Sequence, residues 1–378
     1  MTVSVDARSR ARVPFLDLGP VHGDLREAVL AGLGAVIDSG AFVNGPPVHE
    51  FERAFADYTG AAKCVGVASG LDALRLGLVA AGLEAGDRVL VPANTFVATF
   101  EAVTQAGGVP VPVDVSERDY NMDVEATAAA LTGEARLLLP VHLYGQLADM
   151  VALEALARRA GAAILEDACQ AHGATRDGVR PGLADLGAAF SFYPGKNLGA
   201  MGDAGAFVTN DGRLAARLRA LREHGQARKH VHEVPGWTAR LDTFQALVLS
   251  LKLPYLEGWN AERRAAAAFY LEALGGVGDL GLPPVAEGSD PVWHVFAVRT
   301  DDADGLVASL AARGVQTGRH YPIPPHLSPA YAHLGYPAGS FPVAEALARE
   351  LVSLPLFPGI TEEQLVTVTD AVAAHFDG

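Results

Sequence analysis

A lone lysine, Lys196, stands in Ser191-Phe-Tyr-Pro-Gly-Lys-Asn-Leu-Gly199, an uncharged stretch that begins after Asp185, with Gly195 and Gly199 on either side. Such a lysine either snorkels to water or is held away from it. In the second case its pKa falls, and a neutral amine can attack a carbonyl to form a Schiff base. Upstream, the aliphatic run Ile164-Leu-Glu-Asp-Ala-Cys-Gln170 ends in Asp167, with Gln170 three residues later. Taken alone, Asp167 can cap a helix or hold a metal ion. Together with Lys196 it supplies what a pyridoxal phosphate site needs: an amine for the cofactor aldehyde and a carboxylate that keeps the pyridine nitrogen protonated, so that the ring draws in electrons. The two lie 29 residues apart, room for another strand and turns to bring both to one end of a sheet.

A cofactor phosphate needs donors. Val67-Ala-Ser-Gly-Leu-Asp-Ala73 is a small-residue turn opening a helix, where free N–H groups and the helix dipole favour an anion; the same string also reads as an ordinary helix start. Ser191, five residues before Lys196, can add a hydroxyl. Phe96, in Pro92-Ala-Asn-Thr-Phe96, follows an apolar run and is suited either to stack on the pyridine ring or to fill a core. Competing chemistries lack their context. Gly276-Val-Gly-Asp-Leu-Gly281 matches GxGxxG but follows a helical pattern and runs into Pro283-Pro284, not the strand-to-helix turn of a dinucleotide site. Gly195-Lys196 is followed by Asn197, so no phosphate loop of the GxxxxGK[ST] type is present. The 12 histidines form no HExxH or similar cluster, His230 and His232 read as part of a solvated loop, and no GxSxG nucleophile turn occurs.

The elements that must position these residues are short unalternating aliphatic runs, Arg88–Pro92, Val109–Asp114, Arg136–Val141 and Ala162–Asp167, separated by helical patterns such as Gly70–Ala81 and Val151–Ala160. This succession predicts an α/β fold: a mostly parallel sheet buried on both faces by helices, with ligands beyond the carboxyl ends of its strands. After about residue 250 the pattern changes to a long helix, Leu256–Leu274, an apolar run Val292–Val298, a charged helical stretch, a proline-rich loop and a last helix, Thr361–Phe376. The expected domains are therefore 1–250, the large α/β unit, and 251–378, a smaller α+β unit.

At 378 residues with 50% hydrophobic and 19% charged residues, the chain is too apolar for disorder. The 29 Lys+Arg against 44 Asp+Glu give −15, which disfavours nucleic acid or an anionic membrane as partner. Two cysteines, Cys64 and Cys169, make neither a disulfide framework nor metal-ligand spacing, which fits the cytoplasm. Met1–Val13 carries Arg8, Arg10 and Arg12 without the apolar core of a signal peptide. The longest stretch free of acidic, Lys and Arg residues, 320–344, holds six prolines and is no spanning helix.

The ordered set of motifs resembles the DegT/DnrJ/EryC1/StrS sugar aminotransferases, a fold-type I group of pyridoxal phosphate enzymes, from Val13-Pro-Phe-Leu-Asp17 to Phe341-Pro-Val-Ala-Glu345. The resemblance implies that Lys196 is the Schiff-base lysine and proton carrier, Asp167 the pyridine-nitrogen partner and Gln170 the neighbour of the ring hydroxyl. It also implies a phosphate cradle of Ser191 with the backbone of Gly70, Leu71 and Asp72, and Phe96 as the stacking aromatic. Members are homodimers with shared active sites. Two positions depart from the pattern: Leu71 stands where Thr is common, and Thr238, in Gly236-Trp-Thr-Ala-Arg-Leu-Asp242, stands where an Asn usually reaches the other subunit's phosphate.

The resemblance further implies transamination from L-glutamate to a nucleotide-linked ketosugar; the family's dehydratases carry His in place of the lysine. Phe192-Tyr-Pro-Gly-Lys-Asn-Leu-Gly-Ala200 with Gly202-Asp203 resembles members that aminate C3 of a dTDP-linked 3-keto-6-deoxyhexose, whereas C4 members more often have His at the place of Tyr193. His320-Tyr321 also resembles the C3 enzymes, where the pair lies near the sugar; the alternative is a proline-rich surface loop. A diphosphate calls for cations, and Arg222, His224, Arg228, Lys229, His230, His232 and Arg240 gather in one segment, either to bind it, Arg228 and Lys229 foremost, or as a solvated loop balanced by Glu223 and Glu233. C4 amination, a cyclitol ketone as acceptor and a cofactor-binding sensor are the alternative readings.

Overall fold

The computed structural model describes residues 13–131 and 134–377; the arginine-bearing segment ahead of Val13 lies outside the described residues. The four aliphatic runs form neighbouring strands. They are β2 (Arg88–Pro92), β3 (Val109–Val113), β4 (Ala135–Leu138) and β5, whose two halves are Ala163–Ile164 and Glu166–Asp167. With β1 (Lys63–Val67), β6 (Ala188–Ser191) and β7 (Gly205–Thr209) they make one sheet in the order β3-β2-β4-β5-β6-β7-β1. β5 joins its two halves: Leu165 and Asp167 donate to Leu138 and Pro140 on one side, while Glu166 and Ala168 donate to Gly187 and Ala189 on the other. Only β7 runs antiparallel to its neighbours, so the mostly parallel sheet expected from the unalternating runs is what forms.

Both faces are covered. On one lie α2 (Gly70–Ala80), α3 (Ala98–Gln105) and α4 (Gly212–Arg222), packed through Leu74, Leu76, Phe100, Phe207 and Leu218. On the other, α1 (Pro46–Thr59) and α5 (Thr243–Lys252) enclose an aromatic cluster in which Phe51 and Phe55 meet Phe192 edge to face, at 5.2 and 5.1 Å between centroids. Small residues let elements approach where the site lies. A Cβ on Gly205 would fall 2.2 Å from the carbonyl oxygen of Ser69, and one on Gly70 would fall 2.6 Å from Ser191 Cβ. The start of α2 is therefore pressed against the ends of β6 and β7.

The C-terminal part builds a separate apolar cluster. β8 (Phe296–Arg299) pairs antiparallel with β9 (Leu351–Leu354), and α6 (Leu256–Ala273), α7 (Ala303–Ala312) and α9 (Glu362–Phe376) pack on the pair through Tyr270, Phe296, Leu306, Leu310, Val352 and Val368. α8 (Pro342–Glu350) leads into β9. The expected apolar run at 292–298 is a strand only from Phe296. Before it, Trp293 takes a left-handed conformation (φ 47°), and Val292 and His294 donate to the carbonyls of Gly145 and Tyr144 at 2.9 Å. That detour carries His294 toward the sheet. The glycine string 276–281 lies in a loop after α6, as its context predicts.

Candidate active site

A cavity of about 540 Å³ opens beyond the carboxyl ends of β5 and β6, roofed by residues from the C-terminal part and by Phe15 and Leu16. It brings together Gly70, Leu71, Phe96, Asp167, Gln170, Ser191, Tyr193, Lys196, His320 and Tyr321, ten of the residues singled out above. Lys196 sits in a loop closed at both ends: its own N–H donates to Tyr193 O, and Ala200 N–H donates to Phe192 O, each at 2.8 Å. A Cβ on Gly199 would fall 2.2 Å from Pro194 O, so only glycine allows this turn. Asn197 pins the loop from the far side, donating to Asn260 Oδ1 and Val292 O at 2.9 Å and accepting from His294 Nδ1 at 3.1 Å.

Burial lowers the pKa of the Lys196 amine, opposed in part by Asp167. This is the direction that a nucleophilic or proton-carrying lysine requires. Three histidines nearby are driven toward the neutral form by burial and then by the charge of Lys196: His172 to about 3, His320 to about 4, and His294 well below its usual value. Asp167, 5% exposed at the end of β5, is held as an acceptor, taking the Thr99 hydroxyl on Oδ2 (2.9 Å) and Cys169 N–H on Oδ1 (3.2 Å). Gln170 accepts from Tyr144 N–H at 2.7 Å and donates to the Tyr321 hydroxyl at 3.1 Å. Phe96 is half exposed on the cavity wall, its ring 5.3 Å from that of Tyr321.

His320 and Tyr321 do not lie on a surface loop. His320 stacks on Phe15 (5.6 Å), bonds Ser353 Oγ at 2.7 Å, and accepts the Tyr144 hydroxyl on its carbonyl. Other expected residues fall elsewhere. Asp72 is the third residue of α2: its N–H is already taken by Ser69 Oγ at 3.0 Å and its carboxylate pairs with Arg75. Thr238 bonds His224 Nε2 at 3.1 Å, away from the cavity lining, as are Arg228 and Lys229, exposed on the hairpin of Gln226–Arg228 and Val231–His232. Two members of the expected cation cluster are paired within the chain. Arg222 is buried against Glu52 (2.5 Å), and Arg240 pairs with Glu223 (2.7 Å). Both arginines satisfy carboxylates within the chain, so the cations left for a ligand are those of the hairpin.

Sequence reading missed Thr99, Arg263 and His294. Thr99, in the first turn of α3, meets the hydroxyl of Thr95 in the preceding bend at 2.8 Å and donates to Asp167 at the end of β5. His294 was concealed inside a run that reads as strand, and Arg263 inside a helical pattern.

The model of the DegT/DnrJ/EryC1/StrS aminotransferase family matches residues 24–373. The chain belongs to that family. A member from Streptomyces venezuelae, dTDP-3-amino-3,4,6-trideoxy-alpha-D-glucose transaminase, is 49% identical over 96% of this chain and 95% of its own. The Saccharopolyspora erythraea protein named erythromycin biosynthesis sensory transduction protein EryC1 is also 49% identical, over 93% of this chain and 96% of its own. Among solved members, S. venezuelae DesV in complex with a ketimine intermediate superposes with a TM-score of 0.95 at 48% identity, covering 97% of this chain and 99% of that one. The family's aminotransferases use pyridoxal phosphate, and this chain is an enzyme of that type. Among the described residues no helix is long and apolar enough to cross a membrane, and no His/Cys/Asp/Glu group is placed to hold a metal ion.

Proposed function

We propose that this family member transfers an amino group from L-glutamate to C3 of a dTDP-linked 3-keto-6-deoxyhexose in deoxyaminosugar biosynthesis, with pyridoxal 5'-phosphate as cofactor. The observation that carries the reading is the meeting of a lysine amine lowered by burial with the buried Asp167 carboxylate at one cavity. The S. venezuelae relative's substrate, and a Micromonospora megalomicea relative of the same name at 42% identity, support C3 over C4 and over a cyclitol ketone. Retention of Lys196 and an open cavity favour an enzyme over a sensor.

The residues present fit the cofactor. Asp167, fixed by Thr99 and Cys169 N–H, would pair with the pyridine nitrogen and keep it protonated. The close approach of Gly70 to Ser191 leaves the start of α2 and the Ser191 hydroxyl as the phosphate cradle, with Leu71 contributing backbone only. Phe96, whose ring lies beside that of Tyr321, would stack on the cofactor ring, and Gln170, bonded to the Tyr321 hydroxyl, would neighbour its hydroxyl. When bound, the cofactor supplies an electron sink that stabilises negative charge at the carbon bearing the amine. Lys196 then needs only to take and return a proton at Nζ, and its lowered pKa brings it closer to working pH. The histidines, kept neutral, do not compete as cations for that proton. Tyr193, His320 and Tyr321 line the space left for the sugar.

The same reading makes the protein a cytoplasmic homodimer in which Thr238, Arg228 and Lys229 serve the partner's cavity, the hairpin cations meeting the diphosphate. It also divides the chain into a cofactor unit, 1–250, and a smaller unit, 251–378, consistent with the separate C-terminal cluster. Protein loaded with pyridoxal phosphate is expected to show a visible absorption band that L-glutamate shifts, and Lys196→Ala abolishes the shift. A protein that takes up no pyridoxal phosphate would overturn the proposal.

A further inference from the structure

The cavity carries a positive charge that no carboxylate among the described residues answers. Arg263 lies on α6, 2% exposed, and forms part of the cavity wall. Its Nη1 donates to the carbonyl oxygens of Trp293 (3.2 Å) and Leu356 (2.9 Å), two neutral acceptors. Its neighbour Arg264 pairs with Asp290 at 2.7 Å, but Arg263 has no carboxylate partner among the described residues, and its Nε has no hydrogen-bond partner at all. Burial lowers its pKa to about 10, which leaves it charged at neutral pH. A guanidinium taken out of water without an anion is costly, and binding an anion there recovers that cost.

We propose that Arg263 is the carboxylate anchor for the amino donor, taking a carboxylate of the amino acid on the Nε–Nη2 edge while Nη1 fixes the guanidinium to the framework. The planar edge matches a carboxylate through two parallel charge-assisted bonds. Its position suits a donor that must also reach Lys196, because Arg263, His294 and Lys196 line the same cavity. The ketosugar also brings an anion, its diphosphate. That group is attached to a nucleoside, however, and Arg263 is nearly enclosed, with Leu354 and Leu356 beside it in the wall. A compact carboxylate fits such a place better.

The inference rests on the transaminase reading, and the two half-reactions separate them. In protein loaded with pyridoxal phosphate, Arg263→Met should raise the L-glutamate concentration that half-shifts the visible band at least 10-fold, and Arg263→Lys should recover part of the loss. The concentration of nucleotide ketosugar that half-restores the band should not change. Glutarate, a dicarboxylate without an amine, should compete with L-glutamate in the wild type and lose affinity in Arg263→Met by a similar factor. Equal losses in both half-reactions would assign Arg263 to the diphosphate or to the framework and overturn the proposal, as would an unchanged response to L-glutamate. Should Arg263→Met fail to fold, the wild type still decides: glutarate must inhibit competitively and its uncharged diamide must not, and inhibition by neither or by both sinks the anchor. A wild type whose band ignores L-glutamate refutes the donor reading itself, not this residue alone.

Discussion

The approach of α2 to β6 makes Gly70→Ala the most informative single change to the proposed phosphate cradle. Gly70 is helical, so alanine meets no backbone strain, and the effect is one of space. Its Cβ would stand 2.6 Å from Ser191 Cβ, 2.9 Å from Cys169 Sγ and 3.1 Å from Ser191 Cα. Carbon atoms rest at about 3.5 Å or more, so the helix start must retreat by about 1 Å or Ser191 must be displaced. β6 cannot yield, being held between β5 and β7. Overpacking of this kind costs about 1–3 kcal/mol. If that cost falls on the cradle, the dissociation constant of pyridoxal phosphate rises about 5- to 150-fold. Equilibrium dialysis measures it, with phosphate-free pyridoxal as the control, since that ligand shares the Lys196 linkage but not the cradle. The expected result is a large loss for the phosphorylated ligand and a small one for pyridoxal. Equal losses for both, or none, would refute the assignment of Gly70 and Ser191 to the phosphate.

Three further outcomes follow from other parts of the structure. Arg222→Met strands the Glu52 carboxylate in the interior, where it keeps the Gly66 N–H (2.9 Å) and longer contacts to Arg219 (3.4 Å) and His49 (4.0 Å), so urea denaturation should show a loss of about 3–5 kcal/mol, partly recovered in the double variant with Glu52→Gln. The lowered pKa values of His172 and His320 make the unfolded chain bind more protons than the folded one below pH 6.5, so stability is lost as pH falls from there toward 4. Each contributes about 2 kcal/mol of that loss at pH 5. His172→Phe should therefore flatten the pH dependence of the urea midpoint, and an unchanged slope would contradict the burial argument. Neutralising Arg228 and Lys229 together should raise the KM for the nucleotide sugar without moving that for L-glutamate, and the effect should shrink at high salt.

The meeting of the expected cofactor residues at one cavity was legible because their chemistry is local. Lys196 in an uncharged glycine-bounded loop, Asp167 at the end of an aliphatic run and Ser-Gly before a helix each combine a residue type with the element that positions it. The parallel sheet was legible for a similar reason, since strands buried on both faces lose their alternation and read as the runs at 88–92, 109–113 and 162–167. What escaped was set by distant contacts. Arg263 and His294 reach the cavity only because Asn197, Asn260, Val292 and the carbonyls of Tyr144 and Gly145 tie three separated segments together. The cation cluster at 222–240 misled for the same reason: proximity in sequence does not tell that Arg222 turns inward to Glu52 while Arg228 turns out.

This bears on how an acidic protein handles anionic substrates. The overall −15 is a surface property, and screening limits its reach to about 8 Å at physiological ionic strength. Inside the cavity, burial decides which nitrogens carry charge. It pushes His294 and His320, like the fully buried His172 outside the lining, to neutrality but leaves Arg263 charged, because a guanidinium starts from so high a pKa that even burial leaves it near 10. The same desolvation therefore acts oppositely on function. In the proposed reading it frees the lysine for proton transfer, keeps the imidazoles uncharged, and leaves the arginine as the one permanently positive side chain among the described residues of the cavity wall. A histidine at position 263 would be neutral in that environment and a lysine would hold its charge only in part, so a positive charge independent of pH there calls for arginine.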